Sequence, residues 1–295
     1  MEDLKEKTDG DEGLTSTGAE DSGEGASEKA PAKKSGGFGK GGRSVELTVA
    51  PLKLQRVDVK LVGITPLLVN HFNNKGVGLT EMRAKQMGVP VPKKREPKDP
   101  VRCFKDSLYC EGEPKVFGTV EDFIAGKAVI AVGKFFLPFG MFKGAIETAA
   151  LTADGVNKAS VQRAVRIVQN RIAVTGTAKL SGDPTRDQSP EAQEVFEALK
   201  AKALTAKAIK AGESMAMMEE DVVRLKDIGR TADLRYRARF DEWSAQFTVE
   251  FLADVMNAQT VINLFNRAGF TSGLGEWRPE KGGEMGRFKM ETADE

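Results

Sequence analysis

Alternating apolar and polar residues predict three strands in this chain. Residues 56–70, RVDVKLVGITPLLVN, begin with such an alternation, and Thr65-Pro66 bends or ends the strand because proline has no N–H to donate. Residues 234–240, LRYRARF, place Leu, Tyr, Ala and Phe on one face and three arginines on the other. Residues 243–251, WSAQFTVEF, alternate again after a short polar turn, so the last two runs predict a β-hairpin.

An apolar repeat close to 3.6 residues predicts four helices. Polar residues that accept a hydrogen bond from the first turn mark the helix starts: Ser160, Ser189 and Asn257. Pro190 suits a first helical position, and Gly269 suits a helix end. The predicted helices span residues 137–151, 160–170, 189–211 and 258–268, and short strands are predicted over residues 171–176 and 285–290.

Taken in order, these elements predict a βαββαβ core. Such a core is the ferredoxin-like (RRM-like) unit of the α+β class, in which helices cover one face of a sheet and leave the other open. Two stretches are longer than an ordinary connection between secondary-structure elements, and they are predicted to be large insertions, at about residues 71–116 and 177–232. The predicted domain therefore covers residues 47–295.

The first 46 residues have almost no large apolar side chains, so they are predicted to be disordered. Residues 1–30 hold ten acidic side chains against three lysines, a net charge of −7. Since the whole chain of 295 residues carries +1, residues 31–295 carry +8. This asymmetry favours an anionic partner for the body of the protein, with a merely solubilising tail as the alternative.

The two cysteines, Cys103 and Cys110, are too few for a disulfide framework or a zinc site. No metal and no cofactor site is predicted from any other pattern. The N-terminus has no signal-peptide pattern, and no apolar run reaches the ~20 residues that span a bilayer. We therefore expect a soluble cytoplasmic protein without a membrane partner.

Residues 273–290, GLGEWRPEKGGEMGRFKM, combine glycines with cations and one tryptophan. They are neither a Walker A loop nor a dinucleotide fingerprint, because Gly-Lys-Ser/Thr is missing and the loop follows a helix. Backbone N–H groups beside cations suit phosphates, and a tryptophan suits base stacking. The alternative is a tight loop in which Trp277 packs on the core and Arg278 pairs with Glu276 or Glu280. The candidate binding residues are Gly273, Gly275, Trp277, Arg278, Lys281, Gly282, Gly283 and Arg287.

Other cations extend the candidate site. Three arginines alternate along the predicted strand: Arg235, Arg237 and Arg239. Neighbouring arginines in this series are two strand rises apart, about 6.5–7 Å, which roughly matches the phosphate spacing of a single-stranded nucleic acid. The alternative is a solvated outer face of an edge hairpin. A cation at a helix start opposes the helix dipole, a cost that an anionic ligand relieves. The remaining candidates are Lys93, Lys94 and Arg95 in a basic segment, Lys143 at a helix start and His71 after the first strand. The alternatives are a solvated, disordered loop for the basic segment and a structural role for His71.

Three segments resemble the RAMP superfamily of CRISPR-associated proteins, and within it the backbone subunit that polymerises along the guide RNA. They are GITPLLVN at residues 63–70, LPFGMFKGAIETAA at residues 137–150, and the glycine-rich segment 273–290. The resemblance implies single-stranded RNA (or DNA) against the glycine-rich loop. It also implies copies of the chain and other effector subunits as partners in antiviral defence. The chain departs from the family at Pro138–Met141, where the family has Pro-Gly-Ser-Ser, and at Glu276–Pro279, so a diverged phage-borne relative is the alternative.

Catalytic residues are few. His71 is the sole histidine, so this chain cannot by itself supply a metal site that needs two or more histidines. Family members that cut RNA use an acidic residue in a loop after the first strand, where this chain offers only Glu81. We therefore expect a non-catalytic protein that binds nucleic acid in an assembly. A self-assembling structural protein of phage type is the second hypothesis, and an enzyme for a small phosphorylated substrate is the third.

Overall fold

Three long strands bend in the middle and pass from one antiparallel sheet into another. The structure is a computed structural model, and it describes residues 51–71, 83–84, 86–90, 97–180, 190–224 and 232–291. The predicted disordered tail, the basic residues Lys93, Lys94 and Arg95, and Glu81 lie outside these ranges. The described elements belong to one unit, Ala50–Glu295.

The described residues form eleven strands and seven α-helices. The strands are β1 (Leu54–Gly63), β2 (Leu67–Val69), β3 (Lys115–Phe117), β4 (Ile130–Gly133), β5 (Phe135–Pro138), β6 (Val165–Ile167), β7 (Arg171–Thr177), β8 (Ser214–Arg224), β9 (Ala232–Phe240), β10 (Glu242–Leu252) and β11 (Phe288–Glu291). The helices are α1 (Pro100–Asp106), α2 (Val120–Ile124), α3 (Phe139–Ala149), α4 (Lys158–Ala164), α5 (Pro190–Ala203), α6 (Ala206–Lys210) and α7 (Ala258–Thr271). The predicted α+β class is confirmed.

The first sheet has the strand order β11-β1-β10-β7-β5, with β6 also paired to β10. Helices α3 and α7 cover one face of this sheet, where Phe142 and Phe265 both contact Phe247 of β10, at ring distances of 5.0 and 5.5 Å. The other face carries the polar residues of the strand alternation, which are exposed or half-buried: Asp58, Lys60, Thr175, Ser244 and Gln246. We call it the open face.

The second sheet has the strand order β2-β9-β8-β4-β3. Strand β1 continues into β2, β4 into β5, and β9 into β10, so the two sheets share three bent strands. The register between β1 and β10 pairs Val62 with Ser244, and the register between β2 and β9 pairs Leu67 with Phe240. Four residues therefore face three across the bend, a one-residue bulge that turns both strands together.

Burial of apolar side chains joins the two sheets. The main core lies between the helix-covered face of the first sheet and one face of the second, and it includes Phe104, Phe240 and Trp243. A second, smaller cluster packs Phe196 of α5 on the opposite face of the second sheet, against Ile130 and Met217. Strands β2 and β4 of the second sheet are therefore buried on both faces, which is why they are continuous apolar runs without alternation.

The predicted hairpin of residues 234–251 is wrong. Strand β9 pairs with β2 and β8, whereas β10 pairs with β1, β6 and β7. The two strands run on from each other through Asp241, because the bulge at the bend carries the chain from one sheet into the next. The predicted insertion at residues 177–232 also contains β8, a central strand of the second sheet.

Three helix boundaries differ from prediction. Asn157, not Ser160, caps α4, which ends at Ala164 because the β-branched residues that follow pair with β10. The predicted helix 189–211 is split into α5 and α6, because the Thr205 hydroxyl caps a new start. Helix α7 runs past Gly269, whose missing Cβ makes room for Phe288 O of β11. No helix within the described residues has the length and apolar character that a bilayer crossing requires.

Candidate functional site

The glycine-rich loop, residues 273–287, lies against the bend between β1 and β2. Backbone Glu276 N donates to Leu68 O at 2.8 Å, and Gly286 N donates to Pro66 O at 2.7 Å. In return Ile64 N donates to Arg287 O at 2.8 Å. The loop therefore closes the edge of both sheets at their junction, and many of its N–H groups are satisfied by the chain itself.

Two glycines make this close approach possible. Gly286 has φ 69°, and a Cβ at this position would lie 1.9 Å from Leu274 O. Gly275 has φ 75°, and its Cβ would lie 2.3 Å from Leu68 O. Any side chain would force the backbone apart here, and the left-handed conformation favours glycine as well. These glycines serve the packing of the loop, as the tight-loop alternative predicted.

Trp277 departs from that alternative. Its side chain is 52% exposed and does not belong to the core. Its backbone has φ 53°, and it is the one non-glycine residue with positive φ among the described residues. The conformation is held by Met285 N, which donates to Trp277 O at 3.0 Å, and by the close approach of Gly283. A left-handed tryptophan costs about 1–2 kcal/mol, so the fold holds an exposed indole in a strained position.

The cations of the loop are engaged within the loop. Arg278 donates to Glu280 at 2.9 and 3.0 Å and to Gly275 O at 2.8 Å. Lys281 lies 3.6 Å from Glu280. Arg287 lies 3.2 Å from Glu284 and its guanidinium stacks on Phe270, 5.1 Å from the ring centre. The structure thus gives Arg278 the glutamate partner that the tight-loop alternative names.

The predicted exposed arginine face of β9 is wrong, since Arg237 and Arg239 are 1% and 4% exposed. Arg237 lies 3.0 Å from Asp221 of β8 and 3.5 Å from Glu276 of the loop. Arg239 pairs with Glu219 of β8 and with Asp241, the latter at 3.1 Å.

The reason lies in the position of β9. It lies between β2 and β8, and β8 presents carboxylates on the same face as the arginines. Arg235, nearer the strand start, is half-buried and lies 3.8 Å from Asp233. Burial lowers the pKa of Arg237, and Asp221 and Glu276 oppose this shift. The arginines therefore hold the second sheet and the loop together.

Lys143 contacts the end of α4. Its ammonium donates to Val161 O at 2.7 Å, to Gln162 O at 3.4 Å and to Val165 O. A cation at the C-terminal carbonyls of a helix is favourable because it complements the helix dipole. Burial lowers the pKa of Lys143, while Glu147 opposes this. Its role in the structure is to cap α4.

His71 opens a row of aromatic side chains that sequence reasoning missed. Its ring stacks on Tyr109 at 4.0 Å, Tyr109 contacts Phe136 at 5.8 Å, and the Arg171 guanidinium lies over Phe136 at 4.8 Å. We call His71, Tyr109, Phe136 and Arg171 the aromatic row. Burial raises the pKa of Tyr109, and the Glu276 carboxylate of the glycine-rich loop raises it further.

No sequence signal marks this row. Tyr109 follows a loop, Phe136 lies in a strand without alternation, and the four residues are far apart in the chain. They meet because the Tyr109–Cys110 segment pairs along β5: Phe136 N donates to Tyr109 O at 3.0 Å, and Cys110 bridges to Phe135. Only this pairing brings their rings together.

The open face continues from the aromatic row across the first sheet. Next to Phe136 lie short or uncharged side chains on β7 and β10. Charged residues of both signs follow on the neighbouring strands, and they include the carboxylates Asp58 and Glu250. Lys60 pairs with Glu291, whereas Arg166 and Arg171 have no carboxylate partner among the described residues. The uncharged residues are Ala173, Thr175, Ser244 and Gln246, and the exposed cations are Lys60, Arg166, Arg171 and Lys289.

Comparisons with known proteins add one likeness. No protein-family model and no curated protein sequence matches the chain. Among solved structures, the chain is similar to Cmr6 from Pyrococcus furiosus, with a TM-score of 0.31 and 11% sequence identity over 82% of this chain and 100% of that chain. A superposition this loose assigns neither a fold nor a residue role.

Proposed function

We propose that this chain is a non-catalytic protein that binds single-stranded nucleic acid, RNA in the first place, within a multi-subunit assembly. The observation that carries the proposal is Trp277, an exposed indole kept in a left-handed backbone conformation by a tightly packed loop. Exposed aromatic rings are the groups on which unpaired bases stack. Backbone strain of this kind concentrates at ligand-binding positions.

The topology supports a ferredoxin-like core for this function. Strands β11, β1, β10 and β7 are neighbours in that order, and α3 and α7 lie on one face. Read along the chain, β1, α3, β7, β10, α7 and β11 have the βαββαβ order of that fold. The glycine-rich loop lies between the last helix and the last strand, as the resemblance to the RAMP superfamily leads one to expect. We therefore propose a diverged member of that superfamily.

The residues proposed to contact nucleic acid are two that the sequence singled out and two that it did not. Trp277 and Lys281 of the loop are exposed, and the open face adds Arg166 and Arg171. Arg237, Arg239 and Lys143 are assigned instead to the fold, since carboxylates or carbonyls engage their charged groups. Binding in this proposal uses stacking first and phosphate contacts around it.

The two tryptophans of the chain allow a direct test. Trp243 is buried, with its Nε1 donating to Thr65 O at 2.9 Å, whereas Trp277 is exposed. A 20-nucleotide single-stranded RNA is expected to quench the indole emission of the wild type in a saturable way. In Trp277→Phe the remaining Trp243 emission is expected to stay constant, and the affinity measured by fluorescence anisotropy of a labelled RNA is expected to fall.

The outcomes separate the proposal from its alternative. If nuclease-treated, high-salt-washed protein binds no RNA yet forms ordered oligomers in light scattering, a self-assembling structural role replaces nucleic-acid binding. If RNA binds but Trp277→Phe quenches as the wild type does, the loop is not the binding site. Steady hydrolysis of the bound RNA would contradict the non-catalytic part of the proposal.

A further inference from the structure

We infer that the aromatic row, His71, Tyr109, Phe136 and Arg171, is a base-stacking site for single-stranded nucleic acid on the open face of the first sheet. This inference rests on the proposed function and adds a second contact to the one at Trp277. The row would receive bases, and the exposed cations beside it would receive phosphates.

Phe136 points away from the core. Its chain neighbours Phe135 and Leu137 are buried in the main core, whereas Phe136 is half-buried and faces the side of the sheet that carries Arg171. Phe136 pairs across the strands with Ala173, whose side chain is too small to cover a ring. A large aromatic residue on the polar face of a sheet has no packing role comparable to that of its neighbours.

The rings form a continuous series. Centre-to-centre distances of 4.0 and 5.8 Å join His71 to Tyr109 and Tyr109 to Phe136, with interplanar angles of 39° and 60°. Base–aromatic stacking tolerates every base because each base has a π-face. The Arg171 guanidinium over Phe136 occupies the place that a base would take, so ligand binding would move Arg171 from the ring to a phosphate.

The surroundings favour an anionic strand over a protein partner. Beside the row, Thr175 and Ser244 lie 2.7 Å apart through their hydroxyls and form a shallow, uncharged strip. Arg171 lies on the same strand face as Thr175 and has no carboxylate partner among the described residues, whereas Arg166 lies farther along the sheet, across from Glu250. Uncharged polar groups beside an unpaired cation are complementary to bases beside a phosphate, and offer little apolar area to a protein.

The test compares two ligands and two aromatic variants. The ligands are a labelled 20-nucleotide single-stranded RNA and an abasic backbone of the same length, measured by fluorescence anisotropy. Phe136→Ala is expected to weaken binding of the RNA by about 5- to 150-fold and to leave binding of the abasic strand unchanged. Arg171→Gln is expected to weaken both ligands by similar factors, because it removes a phosphate contact.

Phe270→Ala is the matched control. Phe270 is 68% exposed and carries a guanidinium on its ring as Phe136 does, but it lies on α7, on the helix-covered side. This variant is expected to bind both ligands as the wild type does. Thermal unfolding of each variant establishes that it is folded.

Two results are distinguishable. If Phe136→Ala binds RNA and the abasic strand with wild-type affinities, or loses both equally, the row is no base-stacking site, and the proposed function stands on Trp277 alone. If the wild type binds neither ligand, the proposed function itself fails.

Discussion

At the scale of single residues, Trp277 combines a strained backbone with little burial. Replacement by glycine removes the left-handed strain of about 1–2 kcal/mol, and this gain is offset by the larger backbone entropy of an unfolded glycine, about 0.5–1 kcal/mol. The fold loses little packing because the indole is half-exposed. The side chain is therefore kept for a reason other than stability.

We predict that Trp277→Gly changes the free energy of unfolding by less than about 1 kcal/mol and weakens RNA binding at least about 5-fold. Urea unfolding and anisotropy titration measure the two quantities. Trp243→Ala is the contrasting variant, since this buried ring is expected to cost about 3–5 kcal/mol. A Trp277→Gly protein that unfolds readily would show that the indole is structural after all.

His71 predicts a pH dependence of stability. Burial lowers its pKa below the usual value of about 6.5, so the folded state takes up its proton at lower pH than the unfolded state does. The contribution of neutral His71 to the free energy of unfolding is fully present above pH 6.5. It is lost progressively as the pH falls from 6.5 towards the lowered pKa.

We predict that His71→Gln loses less stability than the wild type between pH 7 and pH 5, by no more than about 1.4 kcal/mol per pH unit. The measurement is urea unfolding at both pH values, with the difference between variant and wild type taken at each. Carboxylates titrate in both proteins and cancel in this comparison. Equal losses in the two proteins would mean that burial does not perturb His71.

At the scale of elements, three glycine-to-alanine variants test why each glycine is present, two in the glycine-rich loop and one in α3. Gly286→Ala is predicted to cost about 2–5 kcal/mol, because its Cβ meets Leu274 O and its φ is positive. Gly282→Ala has the same strain, with φ 79°, but open space around the Cβ, so it is predicted to cost only about 1–2 kcal/mol. Gly144→Ala in α3 has neither problem and is predicted to gain about 0.5–1 kcal/mol.

Chemical unfolding of the three variants measures the change in the free energy of unfolding, and so gives their order of stability. A Gly286→Ala cost no larger than that of Gly282→Ala would mean that the loop is not packed on itself as described.

Strands β8 and β9 are joined by buried ion pairs. Arg237→Met leaves Asp221 and Glu276 without their cation, and removal of one partner from a buried pair costs about 3–5 kcal/mol. Lys53→Met is the control, since the exposed Lys53–Asp254 pair at 3.3 Å contributes less than about 1 kcal/mol. Urea unfolding measures whether Arg237→Met costs more stability than Lys53→Met, as expected. Addition of Asp221→Asn to Arg237→Met is expected to restore part of the loss, and a failure to do so would remove the electrostatic explanation.

At the scale of the whole molecule, the bulge at the bend decides where charge is displayed. The open face of the first sheet exposes Arg166 and Arg171, while the second sheet buries Arg237 and Arg239. If Arg166, Arg171 and Lys281 each neutralise one phosphate, the logarithm of the affinity for single-stranded RNA is predicted to fall with a slope of about −2 against the logarithm of the salt concentration. Arg171→Gln is predicted to reduce the slope by about 0.7.

Anisotropy titrations from 50 to 300 mM NaCl measure this slope, with RNA of constant length. A slope near zero would exclude phosphate contacts from binding. The same samples in light scattering report assembly, and particle mass is expected to rise with RNA length if the protein forms a filament along the strand.

Much of the first sheet can be predicted from the sequence. The alternation in β1 and β10, the Asn257 cap of α7 and the position of β7 follow local rules, because each element has one buried face and local capping chemistry. The second sheet cannot be predicted in this way. Strand β4 and the first half of β8, residues 214–218, are buried on both faces, so their apolar runs have no period that distinguishes a strand from a helix.

The sequence by itself indicated the α+β class and the position of a glycine-rich loop with one tryptophan between the last helix and the last strand, and it left close packing of that loop as one of two alternatives. These indications depend on local periodicity, on capping and on the conformational freedom of glycine. Only the tertiary structure decided that the arginines of β9 are buried, that β9 and β10 are one bent strand, and that His71, Tyr109, Phe136 and Arg171 form a row. Each of these depends on which distant strand lies alongside, and strand partners are set by packing over the whole chain.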